Sequence, residues 1–491
     1  MHQRPTRLME CSYKQLIGGE WCEASNGRTK AIVDPATEMC VREVPYGGGA
    51  DCHAAIEAAR EAFPSWAGRT PYDRGAILKK AADLVRAQLD RLARTTVLES
   101  GKPIAQAGGE WLVAADLFEW FAEEGKRAYG RVIPSRVGTR RLTALKQPIG
   151  VVGIITAWNF PAYNVARAAA AALAAGCAIV VRPSEYTPLT AMEMMNILVE
   201  AGLPGGVANL IVGEADLIGQ EMLRHPSCAK VHLTGSLAVG KRLMDGASKT
   251  LTRLSLELGG NAPVLVFADV DLDEVVAGAI AAKFRNGGQV CIAPQRFLVA
   301  RAVADEFVDR VATAVAALRL GSGLDPDTQV GPLINARQRD RVEGLVASAQ
   351  TAGATVRVGG ARPPDRPRGY FYEPTVVADV DPSMAVYTEE IFGPVLPVVS
   401  FDDADEAIAL ANGTRYGLAA YVWTHHLHTA VRMAERLEFG MIGVNEWSPQ
   451  AVEAPFVGWK ESGLGREAGA EGLDEYMETK LVAYGGFQAR V

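Results

Sequence analysis

A chain of 491 residues is too long for one hydrophobic core and points to two or three domains. Its 48% hydrophobic and 22% charged residues are those of an ordinary globular protein. A net charge of −7 with no lysine- or arginine-dense run argues against a nucleic-acid partner, and no apolar run reaches the roughly 18 residues that a membrane-spanning helix needs.

Met1–Tyr13 carries charge but no apolar core or small-residue cleavage site, so no secretory leader is expected. Short extended pieces follow at Leu16–Trp21 and Ala31–Val33, broken by turns at Asn26-Gly27 and Asp34-Pro35. From Asp51 to Gly130 the pattern is helical, as in Tyr72–Leu98 and Ile104–Tyr129. Arg131–Lys146 changes character, with Val132, Ile133, Val137 and Leu142 set among Thr, Arg and Pro, and reads as a β-ribbon.

Beyond Gln147 strands and helices alternate. Strands are expected at Val151–Thr156, Ala178–Arg182, Asn209–Val212, Lys230–Thr234 and Arg253–Glu257, with helices at Ala162–Ala175, Pro188–Ala201, Ala215–Leu223 and Gly240–Ala247 between them. This alternation implies βαβ units and a doubly wound parallel sheet, whose ligands bind at the carboxyl ends of the strands. After Ala262 the pattern repeats. Strands are expected at Val264–Phe267, Phe297–Val299, Thr355–Val358, Ala419–Thr424 and Ile442–Asn445, with helices at Ala302–Leu318, Gln338–Ala352 and Asp405–Ala411. A second α/β domain therefore begins near Glu257–Asn261.

Seven scattered cysteines (Cys11, Cys22, Cys40, Cys52, Cys177, Cys228 and Cys291) without a Cys-x-x-Cys pair fit a reducing cytoplasm and neither a disulfide framework nor a zinc site. His425, His426 and His428 read as a solvated helix start, so no metal is expected.

Several strand ends carry residues with chemistry. Asn159, after the strand at 151–156, offers a side-chain N–H that can polarise a carbonyl, or is a turn residue before Pro161. Glu185 stands where an adenine ribose would be held, or merely opens a helix. Gly235 and Gly240 between strand and helix suit a pyrophosphate, though not in the usual three-glycine pattern. Glu257 ends a strand before Gly259-Gly260 and is a candidate base. Phe284–Cys291 (Phe-Arg-Asn-Gly-Gly-Gln-Val-Cys) sets one cysteine after a polar, glycine-rich stretch, which suits a reactive thiol or a capping loop ending in a buried cysteine.

These stretches together resemble the aldehyde dehydrogenase superfamily along nearly the whole chain. Trp158-Asn159-Phe160-Pro161, Thr234-Gly235-Ser236, Glu257-Leu258-Gly259-Gly260 and Phe284-x-Asn286-x-Gly288-Gln289-x-Cys291 match its motifs in order. Glu390-Ile391-Phe392-Gly393-Pro394 and Pro455-Phe456-x-Gly458-x-Lys460-x-Ser462-Gly463 follow. The resemblance implies a Rossmann-type cofactor domain (1–130 and 147–256), an α/β catalytic domain (257–446), a β-ribbon oligomerisation arm (131–146 and 470–491) and a return segment to the cofactor domain (447–469). It implies Cys291 as nucleophile through a thiohemiacetal and a thioester, Asn159 as oxyanion donor and Glu257 as the base for water.

For the cofactor it implies Thr156, Trp158, Arg182, Ser184, Glu185, Gly235, Ser236, Val239, Glu390 and Phe392. Arg182 departs from the lysine usual in the family, Leu233 from a phenylalanine and Val457 from a glycine. An arginine suits a 2′-phosphate while Glu185 repels one, so NAD is expected, with NADP as the alternative.

Within the superfamily, Lys460–Glu467 and Glu475–Lys480 are similar to the succinate-semialdehyde dehydrogenase group. That likeness implies a substrate carboxylate clamped by Arg167 and Arg285, with Gln450 in place of the group's serine. A short ω-oxo acid is expected. Trp447 leaves an aromatic or small aliphatic aldehyde as the alternative, and a thiol hydrolase would want a paired histidine that is not evident. A homodimer or homotetramer is expected from the arm.

Overall fold

The structure, a computed structural model, describes residues 13–486 and 488. The stretch before Tyr13, Cys11 included, and the last residues of the expected arm lie outside the described residues.

Two sheets organise the chain. The first has eight strands in the order Glu20–Cys22, Gln15–Ile17, Ala208–Leu210, Ala178–Arg182, Val151–Ile155, Cys228–Thr234, Arg253–Glu257 and Gly463–Leu464. From Ala208–Leu210 to Arg253–Glu257 all pairings are parallel, and antiparallel strands close both ends. Chain order reverses between Val151–Ile155 and Cys228–Thr234, where a crevice opens at the carboxyl ends of the strands.

The second sheet has seven strands, in the order Thr355–Val358, Thr375–Ala378, Val395–Phe401, Pro294–Ala300, Ala262–Val266, Ala419–Trp423 and Met441–Val444. Two of these, Thr375–Ala378 and Val395–Phe401, are not apparent in the sequence. Pro397 makes the second read as a non-strand, yet it sits in the sheet interior opposite Val377. A separate three-stranded sheet joins Arg131–Ile133, Arg141–Pro148 and Met477–Tyr484.

Local chemistry explains the helices that flank the crevice. Pro161 opens the helix Pro161–Ala175 at its first position, and Gly176, at φ 100°, ends it in the left-handed region. Apart from Tyr163 every residue of this helix is buried, because alanine lets backbone approach both the sheet and the helix Ile104–Glu124. The expected single pieces at Leu16–Trp21 and Tyr72–Leu98 are each broken. Gly18 and Gly19, at φ 65° and 91°, fold the first into a hairpin, and Gln88 separates the helices Pro71–Ala87 and Leu89–Ser100.

Gly213 has a backbone consequence of its own. It forms a parallel bridge with Gly47, and its carbonyl accepts a hydrogen bond of 2.9 Å from Arg182 in the crevice. A Cβ there would stand 2.2 Å from the Gly47 carbonyl oxygen. Gly213→Ala is expected to cost roughly 1–3 kcal/mol through forced backbone movement and to lower the thermal unfolding midpoint. An unchanged midpoint would show that the bridge yields freely.

Candidate active site

The helix Leu272–Phe284 ends in a short 3-10 turn at Arg285–Gly288. Asn286, Gly287 and Gly288 all have positive φ (50°, 61° and 72°), so the backbone reverses hand immediately before Cys291. Glycine is required at 288, where a Cβ would lie 2.1 Å from the Gly393 carbonyl oxygen. Gln289 fixes the loop by donating to the Asn286 carbonyl at 2.9 Å and accepting from Ile334 N–H at 3.0 Å. Cys291 faces a cavity of about 1060 Å³. Burial pushes its thiol up to about 12, with Arg167 opposing and Glu390 and Glu257 reinforcing, so the free protein holds it as the neutral thiol.

Asn159 reaches the same loop from the first sheet. Its side-chain amide donates to the Gln289 carbonyl at 3.1 Å. Its own carbonyl accepts from Asn286 at 2.9 Å and from Lys102 at 2.8 Å. Lys102 is wholly buried in an ion pair with Glu110, and Glu110 accepts from Ala162 and Tyr163 N–H at 2.7 and 3.1 Å at the start of the next helix. Desolvation pulls the Lys102 ammonium below its usual range, while Glu110 works to keep it charged.

Glu257 ends its strand with both carboxylate oxygens buried and without a hydrogen-bond partner. Burial, and then the charge of Glu467, push its pKa well up. Glu467 itself stays ionised. Despite desolvation, Arg167 at 2.5 Å and His232 at 3.0 Å hold its pKa down, and all three of these side chains are buried.

The expected cofactor residues line the same cavity: Thr156, Trp158, Arg182, Ser184, Glu185, Gly235, Ser236, Val239, Glu390 and Phe392. Ser236 caps the helix Leu237–Ala247, accepting from Val239 N–H, and leaves that helix N-terminus facing the crevice. Buried Thr156 Oγ1 and Arg182 Nε lack partners, so both have unused capacity toward a polar ligand. Arg182 also pairs with Glu185 at 2.8 Å. Glu390 accepts from Gly260 N–H at 3.1 Å, and burial pushes its pKa up to about 7. Trp158 meets Phe392 edge-on at 5.3 Å between ring centroids. These groups fit a dinucleotide.

The expected substrate residues Arg167, Arg285 and Gln450 line the cavity too, but they differ in what holds them. Arg167 is not the free guanidinium that a two-arginine clamp requires. It lies against Phe456 and Tyr163 (4.1 and 4.8 Å to ring centroids) and is neutralised by Glu467. Arg285 is half-buried over the Phe160 ring, 5.3 Å from its centroid, with no carboxylate at ion-pair distance among the described residues. Gln450 Oε1 is buried without a partner. Trp447 stacks near Tyr421 and Trp423 and is seated on Gly278, where a Cβ would meet its Nε1 at 2.0 Å.

The model of the aldehyde dehydrogenase family matches residues 21–482. The chain belongs to the aldehyde dehydrogenase family. It is 43% identical to the NADP(+) succinate-semialdehyde dehydrogenase of Escherichia coli, over 96% of this chain and 97% of that one. It is also 43% identical to a glutarate-semialdehyde dehydrogenase of Pseudomonas putida, over 95% and 96%. Among solved structures it is similar to betaine aldehyde dehydrogenase from Staphylococcus aureus in complex with NAD+, at a TM-score of 0.95 and 37% identity, covering 97% of this chain and 95% of that one. As a member of the family the chain is an NAD(P)-dependent aldehyde-oxidising enzyme with a mixed α/β fold.

Within this aldehyde dehydrogenase, four residues behind the site escape sequence reasoning. Lys102 and Glu110 stand behind Asn159, and His232 and Glu467 behind Glu257. A lysine beside a glycine reads as surface; Glu110 stands eight residues on, outside the three- or four-residue helical spacing, and His232 meets Glu467 only across the length of the second domain. The sole local hint is His232 set between Val231 and Leu233 in the strand Cys228–Thr234.

Two measurements follow from this geometry. Lys102→Met strands a buried carboxylate and is expected to cost about 3–5 kcal/mol and to cut turnover. Lys102→Met/Glu110→Gln should recover part of the stability in denaturant melts without the turnover. Equal turnover in the double variant and the parent would disprove a link to Asn159. In the cofactor-free protein, alkylation of Cys291 by iodoacetamide should rise about tenfold per pH unit from pH 7 to 9 without a plateau, and Cys291→Ala identifies the labelled thiol by mass.

Proposed function

We propose that the enzyme oxidises a short aldehyde bearing a carboxylate at its far end, with succinate semialdehyde as the first candidate. The observation that carries this reading is Arg285, a cation in the Cys291 cavity without a carboxylate of its own among the described residues. Arg167 then serves to hold Glu467 rather than substrate, and Gln450 can add to the clamp only through its side-chain N–H, since its unpartnered Oε1 is an acceptor. Both semialdehyde dehydrogenases above are named for substrates of this kind. The likeness to betaine aldehyde dehydrogenase argues less, because Arg285 would repel a cationic substrate. Trp447 does not line the Cys291 cavity but a smaller neighbouring pocket, packed against Tyr421, Trp423 and Gly278, so it gives no support to the alternative of an aromatic or small aliphatic aldehyde.

In this reading Cys291 Sγ attacks the aldehyde carbon, and its proton leaves the site. Asn159 Nδ2 and the Cys291 backbone N–H steady the oxyanion. A dinucleotide held by the cofactor residues would supply the hydride acceptor, and loss of hydride from the adduct would leave a thioester on Cys291. Glu257, once ionised, takes a proton from water, which displaces the thiol and releases the acid. Its raised pKa means that this base gains strength as pH rises. We assign cofactor contacts to Thr156, Trp158, Arg182, Ser184, Glu185, Gly235, Ser236, Val239, Glu390 and Phe392. NAD is preferred, since Glu185 would face any 2′-phosphate even while paired with Arg182.

We further propose the division into a cofactor domain (1–130 and 147–256), a catalytic domain (257–446), an arm (131–146 and 470–491) and a return segment (447–469). Exposed Val132, Leu481 and Tyr484 on the three-stranded sheet support an arm that pairs subunits into a homodimer or homotetramer. No helix among the described residues is long and apolar enough to cross a membrane. We place the enzyme in the cytoplasm on a separate ground, the free cysteines among the described residues, which suit a reducing compartment.

One kinetic panel tests these points. Arg285→Ala should raise KM for succinate semialdehyde far more than for propanal, and equal effects would refute the clamp. Run with both cofactors, the parent should show the higher kcat/KM with NAD, and a clear NADP preference would overturn that assignment.

A further inference from the structure

Away from the cleft, the helices Gly49–Ala67 and Ala215–Arg224 pack together over a core that includes Cys52, Ile56, Ile218 and Met222. Each presents a histidine and a glutamate four positions apart, and so on one face: His53 and Glu57 on the first, Glu221 and His225 at the end of the second. The four side chains meet in crossed pairs. His53 Nδ1 lies 2.9 Å from Glu221 Oε1, and His225 Nε2 lies 3.2 Å from Glu57 Oε1. The imidazole centroids are 4.8 Å apart, and one ligand atom each from His53, Glu221 and His225 lies within 4.8 Å of the other two. Arg60 takes the other oxygen of Glu57 at 2.9 Å.

We propose that His53, Glu221 and His225 form a binding site for a divalent transition metal of the zinc class. A hydrogen-bonded staple between two helices needs one such pair. Two imidazoles and the Glu221 carboxylate supply three mixed nitrogen and oxygen ligands of the kind zinc favours and leave the fourth position to water, while Glu57 stands beside His225 with its other oxygen held by Arg60. Binding through His53 Nδ1 and His225 Nε2 places each ring proton on the opposite nitrogen. For His53 that atom belongs to an exposed ring. For His225 it is Nδ1, which now accepts from Ser227 N–H at 3.2 Å, and that contact is given up. The site is therefore weaker than a preformed zinc-finger cage. It would tie the helix Ala215–Arg224, whose first residue lines the cavity beside Arg182 and Glu185, to the N-terminal helix. The metal takes no part in the oxidation.

The test uses the full-length protein, stripped by chelator, with its accessible thiols, Cys22, Cys40 and Cys291 among the described residues, blocked by iodoacetamide so that they cannot compete. Zn2+ titrated calorimetrically should bind at one equivalent and raise the thermal midpoint. Co2+ should give the d–d bands of a tetrahedral site without a thiolate charge-transfer band. His53→Ala, at an exposed position that leaves the core intact, and Glu221→Gln should each weaken binding by more than the roughly tenfold that losing an outer-shell partner costs and abolish the midpoint shift. Absence of a saturable one-equivalent event, unchanged binding in both variants, or a thiolate band would overturn the site and leave a hydrogen-bonded staple alone.

Discussion

The carbonyl oxygen of Asn159 joins the two halves of the catalytic cleft. It accepts from Asn286 on the cysteine loop and from Lys102 behind the crevice, while the Asn159 amide reaches the Gln289 carbonyl. The oxyanion donor, the nucleophile loop and the helix at Pro161 thus share one network of buried hydrogen bonds. Neither sheet alone could place Asn159 against Cys291 with this precision, because each would leave a polar group of the junction unsatisfied.

Charge inside the cleft is separated by environment rather than by residue type. Glu257 and Glu467 are neighbouring buried glutamates, yet Arg167 and His232 hold one ionised while burial raises the pKa of the other. A base whose affinity for a proton is raised in this way is stronger when ionised than a carboxylate in water. The arginine first read as a substrate clamp is part of this arrangement. Arg285, resting on the Phe160 ring, is by contrast a cavity cation with no carboxylate at ion-pair distance among the described residues.

The doubly wound alternation was legible because strand and helix carry different apolar periods, and because Pro161 and Gly176 mark a helix at both ends. The candidate chemistry was legible where it sits at element ends: Asn159, Glu257 and Cys291 each lie beside glycine or proline that packing alone would not select. Val395–Phe401 was hidden by Pro397, and the hairpin at Gln15–Cys22 by the brevity of its strands. Lys102, Glu110, His232 and Glu467 were illegible for a different reason. Their roles exist only in pairs that the fold brings together: Glu110 follows Lys102 by eight residues, off the helical spacing that would mark a pair, and Glu467 lies far along the chain from His232.

The last strand of the cofactor sheet, Gly463–Leu464, arrives after the whole second sheet has been made. The same late segment brings Ser462, whose carbonyl accepts from Leu258 N–H, and Glu475, which neutralises buried Lys230 at 2.7 Å and binds Ser255 at 3.0 Å. A ribosome-bound chain lacking its final residues would hold an open sheet edge and a lysine with no counter-charge in its core. The first half cannot therefore reach its final form as it emerges, although it is synthesised first. The cofactor sheet is complete only once the C-terminal segment has been made, and until then its Arg253–Glu257 edge lacks the pairing that blunts it in the native protein.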